Sequence, residues 1–141
     1  MEQIFLLSNL VVLPFWGIMI AAPRWSVGHS IMRSVLVFLP LTVLYSWLVL
    51  PLLPGLLPAL VRPELRVITT LLADPTGATV AWIHFLAFDL FVGRWQYHDA
   101  LHHQLPAWLV RITLLCTFMA GPFGLLLYIV VRSRTLRSWS W

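Results

Sequence analysis

Four stretches of this chain run for about twenty residues with little or no charge, and that length dictates the solvent they were made for. Crossing some 30 Å of hydrocarbon takes roughly 20 apolar residues in a helix. Residues 3–22 carry no charged side chain. Residues 31–53 carry only Arg33, and 108–131 only Arg111 before Val131. Residues 75–97 are apolar to Gly93 apart from His84 and Asp89. No stretch alternates with a period of two, which argues against strands and a barrel. Sixty per cent of the 141 residues are hydrophobic and 10% are charged, where soluble domains carry about 25% charge. A 16.2 kDa globule with a mean hydropathy of +0.89 could not hide that much apolar surface from water. The prediction is an all-α integral membrane protein, a single domain over 1–141 with about four transmembrane helices.

Local signals set the boundaries. Pro23-Arg24 ends the first span, and Pro51, Pro54 and Pro58 are expected to break the second near Leu53. Asp74-Pro75 reads as an N-cap followed by proline in the first helical turn of the third span. Arg62-Pro63-Glu64-Leu65-Arg66 followed by 67–73 suits a short interfacial helix between the second and third spans. The opening Met1-Glu2 lacks a basic n-region, and the uncharged run is long for a signal peptide, so the first segment is expected to stay as a span. Gly121-Pro122-Phe123-Gly124 combines a kink with small residues, a pattern for close helix contact. Trp25, Trp47, Trp82, Trp95, Trp108, Trp139 and Trp141 fall mostly near span ends, as an interfacial belt requires.

All nine basic residues are arginine, and they are scattered at helix ends. Without a basic stripe beside aromatics, a nucleic-acid partner is set aside in favour of membrane lipid. Four spans would put both termini and the middle loop on one side with Arg62, Arg66, Arg132, Arg134 and Arg137, against Arg24, Arg33, Arg94 and Arg111 on the other. That one-charge margin places both termini in the cytoplasm, in a plasma (inner) membrane. Cys116 is alone, so no internal disulfide forms.

Asp89 is the most informative residue. It lies about 20 Å along the third helix from Pro75, well inside the hydrocarbon. A carboxylate at that depth costs several kcal/mol unless it is paired, protonated or facing a wet cavity. Function is favoured over a purely structural bond to another helix. His84, Asp89, Arg94 and Asp99 are spaced by five, about 140° apart per step, so they do not share a face. Arg94 is therefore expected to pair with another helix or to snorkel. Asp89, Gln96, Asp99 and His103 fall within about 80° of one another if the helix continues towards Pro106. They would then form a polar wall. The alternative is a helix ending near Tyr97, with the later residues solvated.

His98, His102 and His103 resemble one histidine box of a membrane di-iron enzyme, with His98 and His102 one turn apart. Such enzymes need several boxes, and only His29 and His84 remain elsewhere, so solvated interfacial histidines are preferred to a metal site. Haem held between His29 and His84 has no further support.

Three stretches carry a family resemblance: Ser8-Asn9-Leu10-Val11-Val12-Leu13-Pro14-Phe15-Trp16, then 82–94 around His84, Asp89 and Arg94, and Gly121-Pro122-Phe123-Gly124-Leu125-Leu126-Leu127-Tyr128. They are similar to the abscisic-acid-deficient-4-like membrane family, linked in plants to neoxanthin formation. Asp99 also falls where that family has an acid; the neighbouring histidines are not part of its pattern. The resemblance implies a four-span protein that isomerises a carotenoid epoxide to an allene without a redox cofactor. Asp89 would be the acid, His84 or Asp99 the base, and Arg94 a stabiliser of oxyanion charge. The competing expectation is a non-catalytic protein that binds a lipophile or assists a partner enzyme. A transporter is disfavoured, because four short spans leave little room for alternating access unless copies join in a homo-oligomer.

Overall fold

The computed structural model describes residues 1–139, and Trp141 of the expected tryptophan belt lies outside them. Among the described residues eight α-helices follow one another: α1 (Glu2–Ala21), α2 (Ser26–Arg33), α3 (Leu39–Val49), α4 (Leu53–Val61), α5 (Leu65–Ala73), α6 (Pro75–His102), α7 (Ala107–Met119) and α8 (Gly121–Leu136). No strand occurs among the described residues. Three helical segments are long and apolar enough to cross a membrane: Glu2–Ala21, Val35–Val61 and Pro75–His102.

The second of these runs past its expected end at Leu53. Pro51 and Pro54 sit at the first positions of a 3-10 turn (Leu50–Leu52) and of α4, where a missing N–H leaves no hydrogen bond unmade. They do not break the segment, which stays helical from Val35 to Val61. The α5 helix forms the expected short connection to α6. Asp74 caps α6, its Oδ2 accepting from the backbone N–H groups of Thr76 (2.8 Å) and Gly77 (3.1 Å). A Cβ at Gly77 would overlap the Leu71 carbonyl, so only glycine permits so tight a turn between α5 and α6.

α6 is the central strut, and it continues to His102, well past Tyr97. The α1 helix runs parallel to it: the Trp82 indole donates to Asn9 Oδ1 at 3.1 Å, and further along the buried Trp16 ring fills the space a Cβ at Gly93 would need. The α3 segment runs antiparallel, with Tyr45 over His84 and Phe38 over Phe91.

The expected fourth span, 108–131, is not one helix. It breaks at Ala120 (φ −154°, ψ 75°), and α8 folds back along α7. Thr117 of α7 meets Gln96, Gly121 at the tip meets Asp89, and Tyr128 and Arg132 of α8 meet Asp99. Thus α7 descends along α6 from its C-terminal end, and α8 climbs back to that same end. Proline at 122 cannot donate to the turn before it, and Gly124 lets α8 lie directly on the Thr117 backbone. The fold-back leaves the start of α1 and the end of α8 at opposite ends of the bundle, correcting the expectation that the termini share a side.

Around an apolar core the surface is apolar too, and a few polar side chains are buried. Leu10, Leu36, Trp47, Phe88 and Phe123 are exposed, while Gln96, Thr113, Thr117 and Arg132 are buried. Lipid as the solvent accounts for both halves of that pattern.

Candidate functional site

Asp89 projects from the middle of α6 toward the tip of the α7–α8 hairpin. Its carboxylate lies against Gly121, where an added Cβ would collide with it. It is half-buried, and among the described residues no side chain or backbone group bonds to it. α8 begins at Gly121, so the positive end of its helix dipole lies beside Asp89.

Below the hairpin tip Asp89 borders an apolar cavity of about 710 Å³. Its walls are Asn9 of α1, the α6 face from Trp82 to Asp89, and residues 118–122 of the hairpin. His84 lies on the same wall, stacked on Phe88 with ring centres 4.6 Å apart. A second cavity of about 620 Å³, between α3, α4, α5 and α6, shares His84 and Phe85 with the first. The two adjoin along His84 and Phe85, so that an imidazole lines both and a carboxylate lines one of them. Asp74 closes the far end, and its two backbone hydrogen bonds, to Gly77 and Thr76, hold its carboxyl below the ordinary value of 3.8.

The other two expected site residues are elsewhere. Arg94 Nε donates to Met32 O at 2.6 Å and its Nη2 to Arg33 O at 2.8 Å, with the guanidinium over the Phe38 ring. It ties down the C-terminal carbonyls of α2 and is directed away from the groove. Asp99 accepts from Tyr128 Oη (2.5 Å), Arg132 Nε (2.7 Å) and Arg132 Nη2 (3.3 Å). Arg132 is buried and also approaches His103 Nε2 at 3.1 Å. Because a guanidinium only donates, that nitrogen is an acceptor, and the 3.5 Å approach of His103 to Asp99 is no ion pair.

Gln96, Asp99 and His103 do form the polar face expected of a continuing α6, and it is used for packing. Thr117 Oγ1 lies 3.0 Å from Gln96 Oε1 and 2.9 Å from Thr113 O, while Gln96 Nε2 has no partner. One hydroxyl hydrogen cannot serve two acceptors. Turning the amide over lets Nε2 donate to Thr117 while Thr117 donates to Thr113, so that orientation is assigned. Asp89 alone of the four-residue stripe opens on a cavity.

Among the described residues no three His, Cys, Asp or Glu side chains converge on a point where a metal ion could sit. Residue-level reasoning passed over two parts of the site. Asn9 was visible as an amide well inside an uncharged span, and Gly121 as part of a small-residue motif whose partner only the fold reveals.

A family model described as "ABA DEFICIENT 4-like" matches residues 3–128. The chain is 28% identical over 138 residues to "Protein ABA DEFICIENT 4, chloroplastic" of Arabidopsis thaliana, an alignment covering 94% of this chain and 61% of the relative. The chain therefore spans about three fifths of that relative's length. No solved structure matches it.

Proposed function

The chain belongs to the ABA DEFICIENT 4-like family, and from that premise we propose that it isomerises a lipophilic, carotenoid-like epoxide by acid–base chemistry in the groove beside Asp89. The observation that carries this reading is an unbonded carboxyl group on the wall of an apolar cavity that lipid can reach sideways. An apolar chain lies along the groove, and its one polar atom, the epoxide oxygen, meets Asp89. As the neutral acid, Asp89 gives its proton to that oxygen while one C–O bond opens to a hydroxyl. A base, His84 in this reading, removes a proton from a carbon next to the ring, and the freed electron pair closes the new double bond of the allene. Atoms and electrons balance without oxidant or reductant. Charge developing on oxygen faces the first turn of α8, which takes the place of Arg94 as its stabiliser.

Binding without turnover is the second reading, favoured by the five-residue spacing that sets His84 and Asp89 about 140° apart on the helix. One experiment separates the two. The chain and Asp89→Asn are expressed in a bacterial host that makes an epoxy-carotenoid, and the pigments are extracted and separated. The wild type yields an allenic product of unchanged mass. Asp89→Asn yields about one hundredth of it or less, the usual cost of removing a general acid. Pigment that co-purifies with the protein but is never isomerised supports the binding reading. Equal conversion by both proteins removes Asp89 from the chemistry.

Orientation belongs to the same proposal. Arg24, Arg33, Arg94, Arg111, Arg132, Arg134 and Arg137 gather where α1, α6 and α8 end, and only Arg62 and Arg66 lie opposite. That asymmetry favours the arginine-rich end, with the C-terminus, on the cytoplasmic side of a plasma (inner) membrane, and the N-terminus across it.

A further inference from the structure

At the arginine-rich end, away from Asp89, lies a third cavity of about 660 Å³. Its lining includes Arg24, Ser26, His29, Arg33, His98 and His102. No carboxylate enters it. Asp99, one residue from His98, is turned to the other side of α6 and held by Arg132 and Tyr128. Asp89 is at mid-helix, and Glu2, Glu64 and Asp74 are at the opposite end of the bundle. Among the described residues neither the Arg24 nor the Arg33 guanidinium has a hydrogen bond or an ion pair. His29 Nδ1 is buried with no partner, its ring 5.5 Å from that of His98.

The site is held rigidly. Arg94 and His98 both bond the Met32 carbonyl, Arg94 also bonds that of Arg33, and Arg111 Nη2 donates to Ala21 O at 3.2 Å. These bonds fix the two segments that carry Arg24 and Arg33. The α2 helix is amphipathic. Ser26, His29 and Arg33 face the cavity, while Val27 and Ile31 are exposed on the other side. Such a helix lies in the membrane interface, with its apolar face among acyl chains and its polar face at headgroup depth.

We infer that this cavity binds a phosphate group, gripped by Arg24 and Arg33 with the imidazoles behind it. Two guanidiniums suit a tetrahedral oxyanion because each can offer paired N–H donors to two of its oxygens. The phosphate could belong to an anionic lipid headgroup or be free in solution. This inference does not depend on the chemistry proposed at Asp89.

The test is lipid titration into detergent-solubilised full-length protein, followed by native mass spectrometry. Wild type is expected to bind phosphatidylglycerol at least about tenfold more tightly than phosphatidylcholine, the value of one charge-assisted contact. Arg24→Gln/Arg33→Gln reduces that preference to about threefold or less. Arg134→Gln/Arg137→Gln, which removes the same charge from exposed positions at the end of α8, leaves it intact. Arg24→Gln alone changes an exposed side chain with no partner, and it reads the same effect should the double variant fold poorly. Millimolar inorganic phosphate that displaces the lipid assigns the site to free phosphate. Failure to displace it assigns the site to the headgroup with its glycerol. Equal binding of the two lipids by wild type, or equal loss in both double variants, overturns the site.

Discussion

Replacing Gly124 with alanine puts the hairpin to its most direct test. A methyl group there would occupy the same space as the backbone N, Cα and Oγ1 of Thr117. Backbone cannot swing aside like the end of a long side chain, so α7 and α8 must separate. Overpacking of this kind costs about 1–3 kcal/mol. The shift also pulls Thr117 off Gln96, a buried side-chain hydrogen bond worth about 1 kcal/mol. Alanine's better helix propensity returns at most about 1 kcal/mol. The net expectation is a loss of about 1–3 kcal/mol, read by equilibrium unfolding in a mixed-micelle denaturant titration. Gly17→Ala is the control, because nothing lies within 4 Å of its added Cβ. It should be neutral or slightly stabilising. If Gly124→Ala is as stable as Gly17→Ala, the two helices do not meet at that glycine and the fold-back is wrong.

Two further outcomes follow from the bonding of α6. Asp99→Asn takes from Arg132, 3% exposed, the carboxylate that accepts from its Nε and Nη2; the cost should be about 3 kcal/mol in the same unfolding assay, and a loss under 1 kcal/mol would mean that this ion pair does not hold α8 against α6. Asp74 is held below its ordinary value of 3.8 by the N–H groups of Gly77 and Thr76. Its contribution is therefore complete above the unfolded value and is lost as pH falls through the lower folded one. Hydrogen exchange at the Thr76 and Gly77 amides, corrected for intrinsic rates, should rise only in that acid range, and in Asp74→Ala should be fast at every pH.

What could be read from residues alone was whatever depends on local periodicity. The Asp74-Pro75 start of α6, the apolar spans and the alignment of Gln96, Asp99 and His103 on one face all follow from helix geometry and composition. What could not be read depends on partners. Arg94 bonds to backbone carbonyls, which every residue carries, so no sequence pattern marks Met32 and Arg33 as its acceptors. Nothing in the sequence sets Arg132 apart from Arg134 and Arg137; only the return of α8 beside α6 buries it against Asp99. The α2 helix is eight residues long, too short to show in hydropathy. Most of all, a 24-residue apolar run has the same hydropathy whether it crosses a bilayer or doubles back.

That ambiguity matters because the doubling back creates the groove. Thirteen residues separate Asp89 from His102, and α7 is itself 13 residues long, about 20 Å in each case at 1.5 Å per residue. The hairpin therefore descends as far as Asp89 and stops. A helix continuing past that depth would cover the α6 face from Trp82 to Phe88 and press a side chain onto the carboxylate. Because the chain turns at Ala120 instead, the lower half of that face is left to lipid, and the carboxyl group sits at the boundary between packed protein and open groove. The buried Asp99–Arg132–Tyr128 cluster holds the hairpin's other end. The polar residues of α6 thus divide by depth: those beside the hairpin hold it, and the one at its tip lines the open cavity.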